Sequence, residues 1–116
     1  MKVAVIGSRN LRVEYLEAFI PPETTEIVSG GAKGIDTCAR EFAEANEYTY
    51  TEFLPDYDKH GKAAPLRRND EIIEYSDLVL AFWDGKSRGT KYVIGACKNR
   101  GVSVKVFVNN SLTDQN

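Results

Sequence analysis

Apolar, β-branched runs alternate along the chain with stretches in which apolar residues recur every three or four positions. Continuous apolar runs bounded by turn residues are typical of buried strands, and the wider spacing is typical of amphipathic helices. The runs predict five strands, at 2–7, 25–30, 48–54, 77–83 and 103–108. The helical spacing predicts four helices between them, at 11–20, 34–46, 66–76 and 88–100.

A helix between each pair of successive strands indicates parallel pairing, because parallel strands need long crossover connections. The sequence therefore predicts an α/β fold, a single Rossmann-like three-layer domain with helices on both faces of the sheet. We expect a five-stranded parallel sheet in the order 3-2-1-4-5, with strand 48–54 at an edge because one of its sides is polar. The domain is predicted to cover residues 1–110, followed by a frayed tail at 111–116.

Composition is that of an ordinary globular domain, with 42% hydrophobic and 28% charged residues among 116. No apolar run approaches the roughly 18 residues of a membrane span, and the apolar stretch before Gly7 is too short for a secretory signal. We therefore expect a cytoplasmic protein without a membrane partner. The net charge of −2 makes nucleic acid an unlikely partner, although it leaves room for a local basic patch.

The cysteines and the histidine give little support to metal or nucleophile chemistry. Cys38 and Cys97 each fall inside a predicted helix, at a spacing that matches no metal or redox motif. We expect two buried thiols, no disulfide, no metal and no cofactor. His60, the one histidine, lies in a polar loop, so a catalytic triad has at most one candidate base.

Glycines, hydroxyls and charged residues collect where the predicted strands end and the next helices begin. In parallel α/β sheets, ligands bind beyond the carboxyl ends of the strands. Helix N-termini at that edge supply unpaired N–H groups and partial positive charge, which suit an anion and especially a phosphate. The candidate ligand-binding residues are Gly7, Ser8, Arg9, Gly30, Gly31, Gly34, Asp36, Arg68, Asn69, Ser87, Gly89 and Thr90.

Each of these features also has a purely structural interpretation. The glycines could form a plain strand-to-helix turn, Asp36 could serve the helix dipole, and Ser87 could be an N-cap. Two standard phosphate motifs are excluded. The segment 30–34 lacks the G-x-G-x-x-G spacing, and Leu80 stands where a Walker A loop requires its first glycine.

Four segments taken together resemble the SLOG superfamily, a group of Rossmann-like proteins. They are VIGSR (5–9), VSGGAKGID (28–36), PLRRND (65–70) and DGKSRGT (84–90). This superfamily includes the DNA-processing protein DprA, the Lonely-guy phosphoribohydrolases and the small YspA-like proteins, and the chain is most similar to the YspA-like branch. The similarity extends over nearly the whole chain, from position 3 to about position 108.

The resemblance implies that the protein binds a nucleotide or nucleotide-derived ligand and acts as a sensor of it. It also implies a role for each matched position. The matched residues form a phosphate cradle (Gly30, Gly31, Gly34), a second phosphate contact (Gly89, Thr90), a border to the sugar (Gly7, Ser8), a group that orients loop or ligand (Asp36) and an arginine in the pocket wall (Arg68).

One position departs from the pattern of the Lonely-guy enzymes. Their Gly-Thr pair is followed by a catalytic glutamate, and Val93 stands at that place here. Because cleavage of an N-glycosidic bond uses a nearby carboxylate, enzymatic activity is left open. The alternative function is a nucleoside 5′-monophosphate phosphoribohydrolase in which Asp36, Asp56 or Asp84 substitutes for the glutamate.

Two further alternatives concern partners. The first is single-stranded DNA binding as in DprA, which the acidic composition opposes. Tyr57 and Trp83 are the aromatic residues that could stack on a base, although Trp83 also fits a strand end. The second is a homodimer formed through the helix faces at 11–20 and 88–100.

Overall fold

Five parallel strands form one sheet, in the order β3-β2-β1-β4-β5, in a computed structural model that describes residues 1–108. The predicted fold class, parallel sheet and strand order are confirmed, and β3 lies at an edge as expected. The predicted domain end at residue 110 and the tail at 111–116 lie outside the described residues. The strands are β1 (Lys2–Gly7), β2 (Glu26–Ser29), β3 (Thr49–Glu52), β4 (Leu78–Trp83) and β5 (Ser103–Val108).

Three of the four connections between successive strands contain an α-helix, as expected. The main helices are α1 (Ile35–Ala45), α3 (Ala64–Tyr75) and α4 (Arg88–Arg100), and the loop before α3 adds a short helix, α2 (Tyr57–His60), and a 3₁₀ turn. Asp56 begins α2, because its carboxylate accepts the backbone N–H of Lys59 at 3.1 Å. Pro65 lies in the first turn of α3, where a missing N–H costs nothing.

The predicted helix at 11–20 is wrong. The segment is irregular apart from one 3₁₀ turn at Leu16–Ala18, so it offers no helix face for self-association. Leu11 and Leu16 are nevertheless buried, at 5% and 2% exposed, and Phe19 and Ile20 are partly buried against the same core. The segment is too short to be helical on its own, and the prolines that follow it disfavour helical backbone before them. Packing against the sheet therefore decides its path.

The sheet is covered on both faces, as expected. On one face, α1 and the segment 11–20 pack against β1, β2 and β4, and Phe82 is fully buried there. On the other face, α3 and α4 pack against the same strands through residues such as Ile72 and Val93. Cys38 and Cys97 are buried free thiols on helices of opposite faces. Among residues 1–108, no helix is both long and apolar enough to cross a membrane.

The order of the strands creates a crevice between the carboxyl ends of β1 and β4. Chain connections run to one side of β1 through β2 and β3, and then return to the other side through β4. At such a reversal, the loops that follow the two central strands diverge and leave room for a ligand. The backbone N–H of Ser8 donates to the carbonyl of Phe82 at 3.0 Å and fixes the loop after β1 against β4.

Candidate functional site

A cleft of about 450 Å³ lies at this crevice. Its wall is formed by the loops after β1 and β2, the first half of α3, and the loop and first turn after β4. Most of the residues that the sequence predicted as a site come together here, and their role in binding stays a prediction. The predicted residues in the wall are Gly7, Ser8, Arg9, Asp36, Arg68, Asn69, Ser87, Gly89 and Thr90.

The glycines after β2 do not line the cleft; they lie beside it and pack against other parts of the protein. At Gly34, with φ of 73°, a Cβ would be 2.6 Å from the carbonyl oxygen of Ser8, so this glycine lets the loop after β1 cross the start of α1. At Gly31, also with φ of 73°, a Cβ would be 2.7 Å from Leu54. Both positions need glycine for local backbone reasons. The predicted phosphate cradle has no direct counterpart in the cleft wall.

Gly30 makes room for two charged side chains. A Cβ at this position would be 2.6 Å from Nη1 of Arg68 and 3.0 Å from Oδ2 of Asp36. The bare backbone therefore allows an arginine from α3 and a carboxylate from α1 to approach the same point. Gly30 supports the cleft indirectly, by positioning two residues of its wall.

Arg68 is held by the protein at two of its nitrogens. Its Nη1 donates to the carbonyl of Gly30 and, at 3.4 Å, to that of Phe53, and its Nε donates to Oδ1 of Asn69 at 2.9 Å. Within residues 1–108, Nη2 has no hydrogen-bond partner. Burial lowers the pKa of Arg68, although an arginine stays protonated at neutral pH. The cleft wall thus contains a fixed positive charge with one free N–H₂ group.

Asp36 is a second buried charge in the wall, and it is only half paired. It is 5% exposed, and its Oδ2 accepts the backbone N–H of Ala32 at 3.1 Å. Its Oδ1 is buried without a hydrogen-bond partner among the described residues. Burial raises the pKa of Asp36, against the opposing effects of the Ala32 N–H and of Arg68.

Asp84 organises the loop between β4 and α4. Its Oδ1 accepts the backbone N–H groups of Lys86 and Ser87 at 2.8 and 2.7 Å, and its Oδ2 accepts the Ser87 hydroxyl at 2.9 Å. These donors, Ser87 first, lower the pKa of Asp84 to about 2. The backbone N–H of Asp84 in turn donates to the Ser8 hydroxyl at 3.0 Å. These hydrogen bonds hold the loop, and the last of them joins it to the loop after β1.

The N-terminus of α4 has no side-chain cap. The Ser87 hydroxyl is turned to Asp84, and the first helical backbone bond is donated by Lys91. The backbone N–H groups of Arg88, Gly89 and Thr90 have no acceptor within residues 1–108. Because Gly89 and Thr90 line the cleft, these donors and the helix dipole favour an anion there.

Several wall residues were not predicted as site residues. They include Asn10, which directly follows a predicted site residue, and the apolar group Ile6, Pro65, Leu66 and Val93. Asp84, which directly follows β4, was expected only as a substitute for the catalytic glutamate. Asn10 and Asp84 could have been predicted from their positions in the loops that follow predicted strands. The apolar residues carry no such signal, because the same residue types form the core.

Other candidates lie elsewhere. Trp83 donates its indole N–H to the carbonyl of Ser87 at 3.0 Å, so it holds the loop before α4. Tyr57 is 59% exposed and is absent from the cleft wall, as is Asp56.

The fold and the cleft define a Rossmann-like α/β domain with a polar pocket at the carboxyl edge of its sheet. Over 87 residues the chain is 33% identical to the Gene 61 protein of Mycobacterium phage D29, an alignment that covers 70% of each protein. The chain belongs to the same family as this Gene 61 protein. No protein-family model matches the chain, and no solved structure matches it.

Proposed function

We propose that the cleft binds a nucleotide or nucleotide-derived ligand, as a sensor does, with the phosphate of the ligand at the N-terminus of α4. The observation that carries this proposal is the set of free backbone N–H groups at 88–90, two of which belong to residues of the cleft wall. The wall also contains Thr90, whose hydroxyl has no partner among residues 1–108. Free N–H groups at a helix start are a common phosphate-binding arrangement.

The opposite wall suits the rest of a nucleotide. Arg68 presents its free Nη2, and Pro65 and Leu66 add apolar surface, with Leu66 41% exposed. A base needs an apolar surface and a phosphate needs donors, and this cleft combines both. Its volume of about 450 Å³ lies within the usual range of small-molecule sites.

Membership of the SLOG superfamily is part of this proposal. The segments 5–9, 28–36, 65–70 and 84–90 that resemble this superfamily all meet around the cleft, although they are far apart in the sequence. Such a convergence is expected if these segments serve one site. It supports the resemblance without identifying the ligand.

The test is calorimetric titration of the protein with nucleoside monophosphates and with the matching nucleosides. We expect binding that depends on the phosphate. Thr90→Val, which keeps the shape of the side chain and removes its hydroxyl, should weaken binding at least about tenfold, since hydrogen bonds to charged groups typically contribute about 1.5–3 kcal/mol. Arg67→Ala is the control, because Arg67 is exposed and lies outside the cleft wall.

Two results would contradict the proposal. One is the absence of binding by every phosphate-bearing compound of the panel. The other is equal affinity for nucleoside and nucleotide, which would place the ligand away from the N–H groups of α4.

A further inference from the structure

The half-paired carboxyl of Asp36 has a use that phosphate binding alone does not explain. Its side chain belongs to the cleft wall, yet one of its oxygens is sealed from solvent without a donor. Buried polar atoms in proteins are nearly always hydrogen-bonded, so an exception calls for a chemical reason. Arg68 does not remove the exception, because no ion pair within 4.0 Å joins it to Asp36 among residues 1–108.

Burial, rather than a hydrogen-bond partner, favours the acid form of this carboxyl. Ser29 is fully buried, and its hydroxyl donates to the carbonyl of Val5 at 2.7 Å. The backbone N–H of Ala32, the charge of Arg68 and the Ser29 hydroxyl each lower the pKa of Asp36, but burial outweighs them and raises it.

The other charged groups of the cleft wall keep their charge between acid and neutral pH. The arginines stay protonated, and the donors of its loop hold the pKa of Asp84 at about 2. Burial raises the pKa of Tyr50 further above neutrality. Asp36 is therefore the group of the cleft wall that can change charge in this range. Arg68 from α3 and Tyr50 from β3 lie close enough to Asp36 to influence its charge or to be influenced by it. Glu52 of β3 lies beside Gly31, and Arg9 after β1 and Asp84 after β4 share the cleft wall with Asp36.

We propose that Asp36 is a proton-linked selector, whose acid form admits an anionic group to the cleft and whose ionised form opposes it. This inference rests on the proposed function and assigns a role in selectivity to one residue of that site. The effect is electrostatic and needs no contact between ligand and carboxyl. A negative group in the cleft disfavours a second negative charge beside it, and so favours the acid form of Asp36.

Linkage gives the sign of the effect. If the bound state holds more protons than the free state, affinity falls as pH rises between the two pKa values of Asp36. If one proton is linked to binding, the affinity for the ligand changes by at most about tenfold per pH unit. Binding within this window should therefore be accompanied by uptake of up to one proton.

The experiment uses adenosine 5′-sulfate, because a sulfate ester keeps a constant charge over the pH range, whereas a phosphate monoester titrates at a pKa of about 6. Affinity is measured by calorimetry from about pH 4 to about pH 8, a range that begins at the ordinary pKa of aspartate. Two buffers of different ionisation enthalpy give the number of protons taken up. Asp36→Asn imitates the neutral acid, and Asp58→Asn, at an exposed position outside the cleft, is the matched control.

We expect the wild type and Asp58→Asn to lose affinity as pH rises and to take up a proton on binding. Asp36→Asn should keep the affinity that the wild type has at acid pH, with no pH dependence and no proton uptake. Equal pH dependence in wild type and Asp36→Asn, or no proton uptake by the wild type, would overturn the inference and leave the proposed function standing. If Asp36→Asn does not fold, the pH dependence and proton uptake of the wild type alone test the inference. If neither adenosine 5′-sulfate nor any nucleoside monophosphate binds, both proposals fail.

Discussion

At the scale of single residues, the three glycines after β2 serve backbone geometry in three different ways. Gly31 and Gly34 adopt positive φ, and Gly30 leaves space for Arg68 and Asp36. The sequence predicted that bare backbone was needed in this loop. It could not predict what approaches the backbone, because the approaching arginine comes from 38 residues further along the chain.

Gly30→Ala should destabilise the protein by about 1–3 kcal/mol, the usual cost of an added methyl group in a filled space. The new Cβ would be 2.6 Å from Nη1 of Arg68, so the guanidinium must move from the carbonyl that it holds. Gly95→Ala is the control, since a Cβ there meets nothing within 4 Å and alanine favours a helix by about 0.5–1 kcal/mol. Chemical denaturation of both variants measures the difference, and equal stability of Gly30→Ala and wild type would contradict this account.

Asp36→Asn should stabilise the protein at neutral pH. Burial raises the pKa of Asp36 in the folded state, so the folded protein binds the proton more tightly than the unfolded chain does. Its ionisation therefore costs stability above the folded pKa, by about 1.4 kcal/mol for each pKa unit of the shift. This cost disappears as pH falls towards the ordinary value of about 3.9.

Thermal unfolding across this pH range provides the measurement for Asp36→Asn. The amide can still accept the N–H of Ala32, so the fold should tolerate it. A gain in stability that is largest at neutral pH and shrinks in acid is expected. A loss of stability at neutral pH would show that the attraction between Asp36 and Arg68 outweighs burial.

At the scale of elements, the hydrophobic pattern predicted burial more reliably than backbone conformation. The spacing of apolar residues in 11–20 indicated a helix, and most of those side chains are buried or partly buried in an irregular segment. Phe19 makes edge contacts with Phe82 and Phe107, at ring-centroid distances of 5.2 and 4.8 Å. These contacts come from residues distant in sequence, so local periodicity could not reveal them.

Phe19→Ala should lower the free energy of unfolding by about 3 kcal/mol, the lower end of the range for phenylalanine because the ring is only partly buried. Tyr15→Ala, in the same segment but 70% exposed, should change stability by no more than about 0.5 kcal/mol. Urea denaturation of the two variants tests whether the segment is fixed by packing. Similar effects at both positions would mean that Phe19 does not anchor it.

At the scale of the whole molecule, parallel topology made the location of the site predictable. The carboxyl ends of the strands and the starts of the following helices meet at one edge of the sheet, so the predicted site residues were expected to be close together, and nine of them share the cleft wall. The apolar half of the wall was not predictable, since Ile6, Leu66 and Val93 have the composition of core. The sequence also could not distinguish residues that face the cleft from residues that position them, such as Gly30.

The chain should bind nucleoside monophosphates without hydrolysing them at a useful rate. Val93 is 2% exposed, lies in the cleft wall and supplies no carboxylate. Asp56 caps α2 outside the wall, and Asp84 is bound by three donors that favour its ionised form. Loss of a general acid or base typically removes about 10²–10⁴-fold of rate, or about 3–5 kcal/mol of barrier, whereas the donors of α4 remain free for binding.

Incubation with a panel of nucleoside monophosphates, followed by assays for free base and ribose 5-phosphate, provides the measurement. Binding without repeated turnover on any member is the expected outcome. Repeated turnover would contradict the sensor function and support a phosphoribohydrolase. Asp36 would then be the candidate catalytic acid in the cleft wall. Asp36→Asn should then abolish that turnover while phosphate-dependent binding persists. If turnover is absent, Val93→Glu asks whether a single carboxylate at this point of α4 is enough to create it, with Val106→Glu, at an exposed position of β5, as the control for added charge.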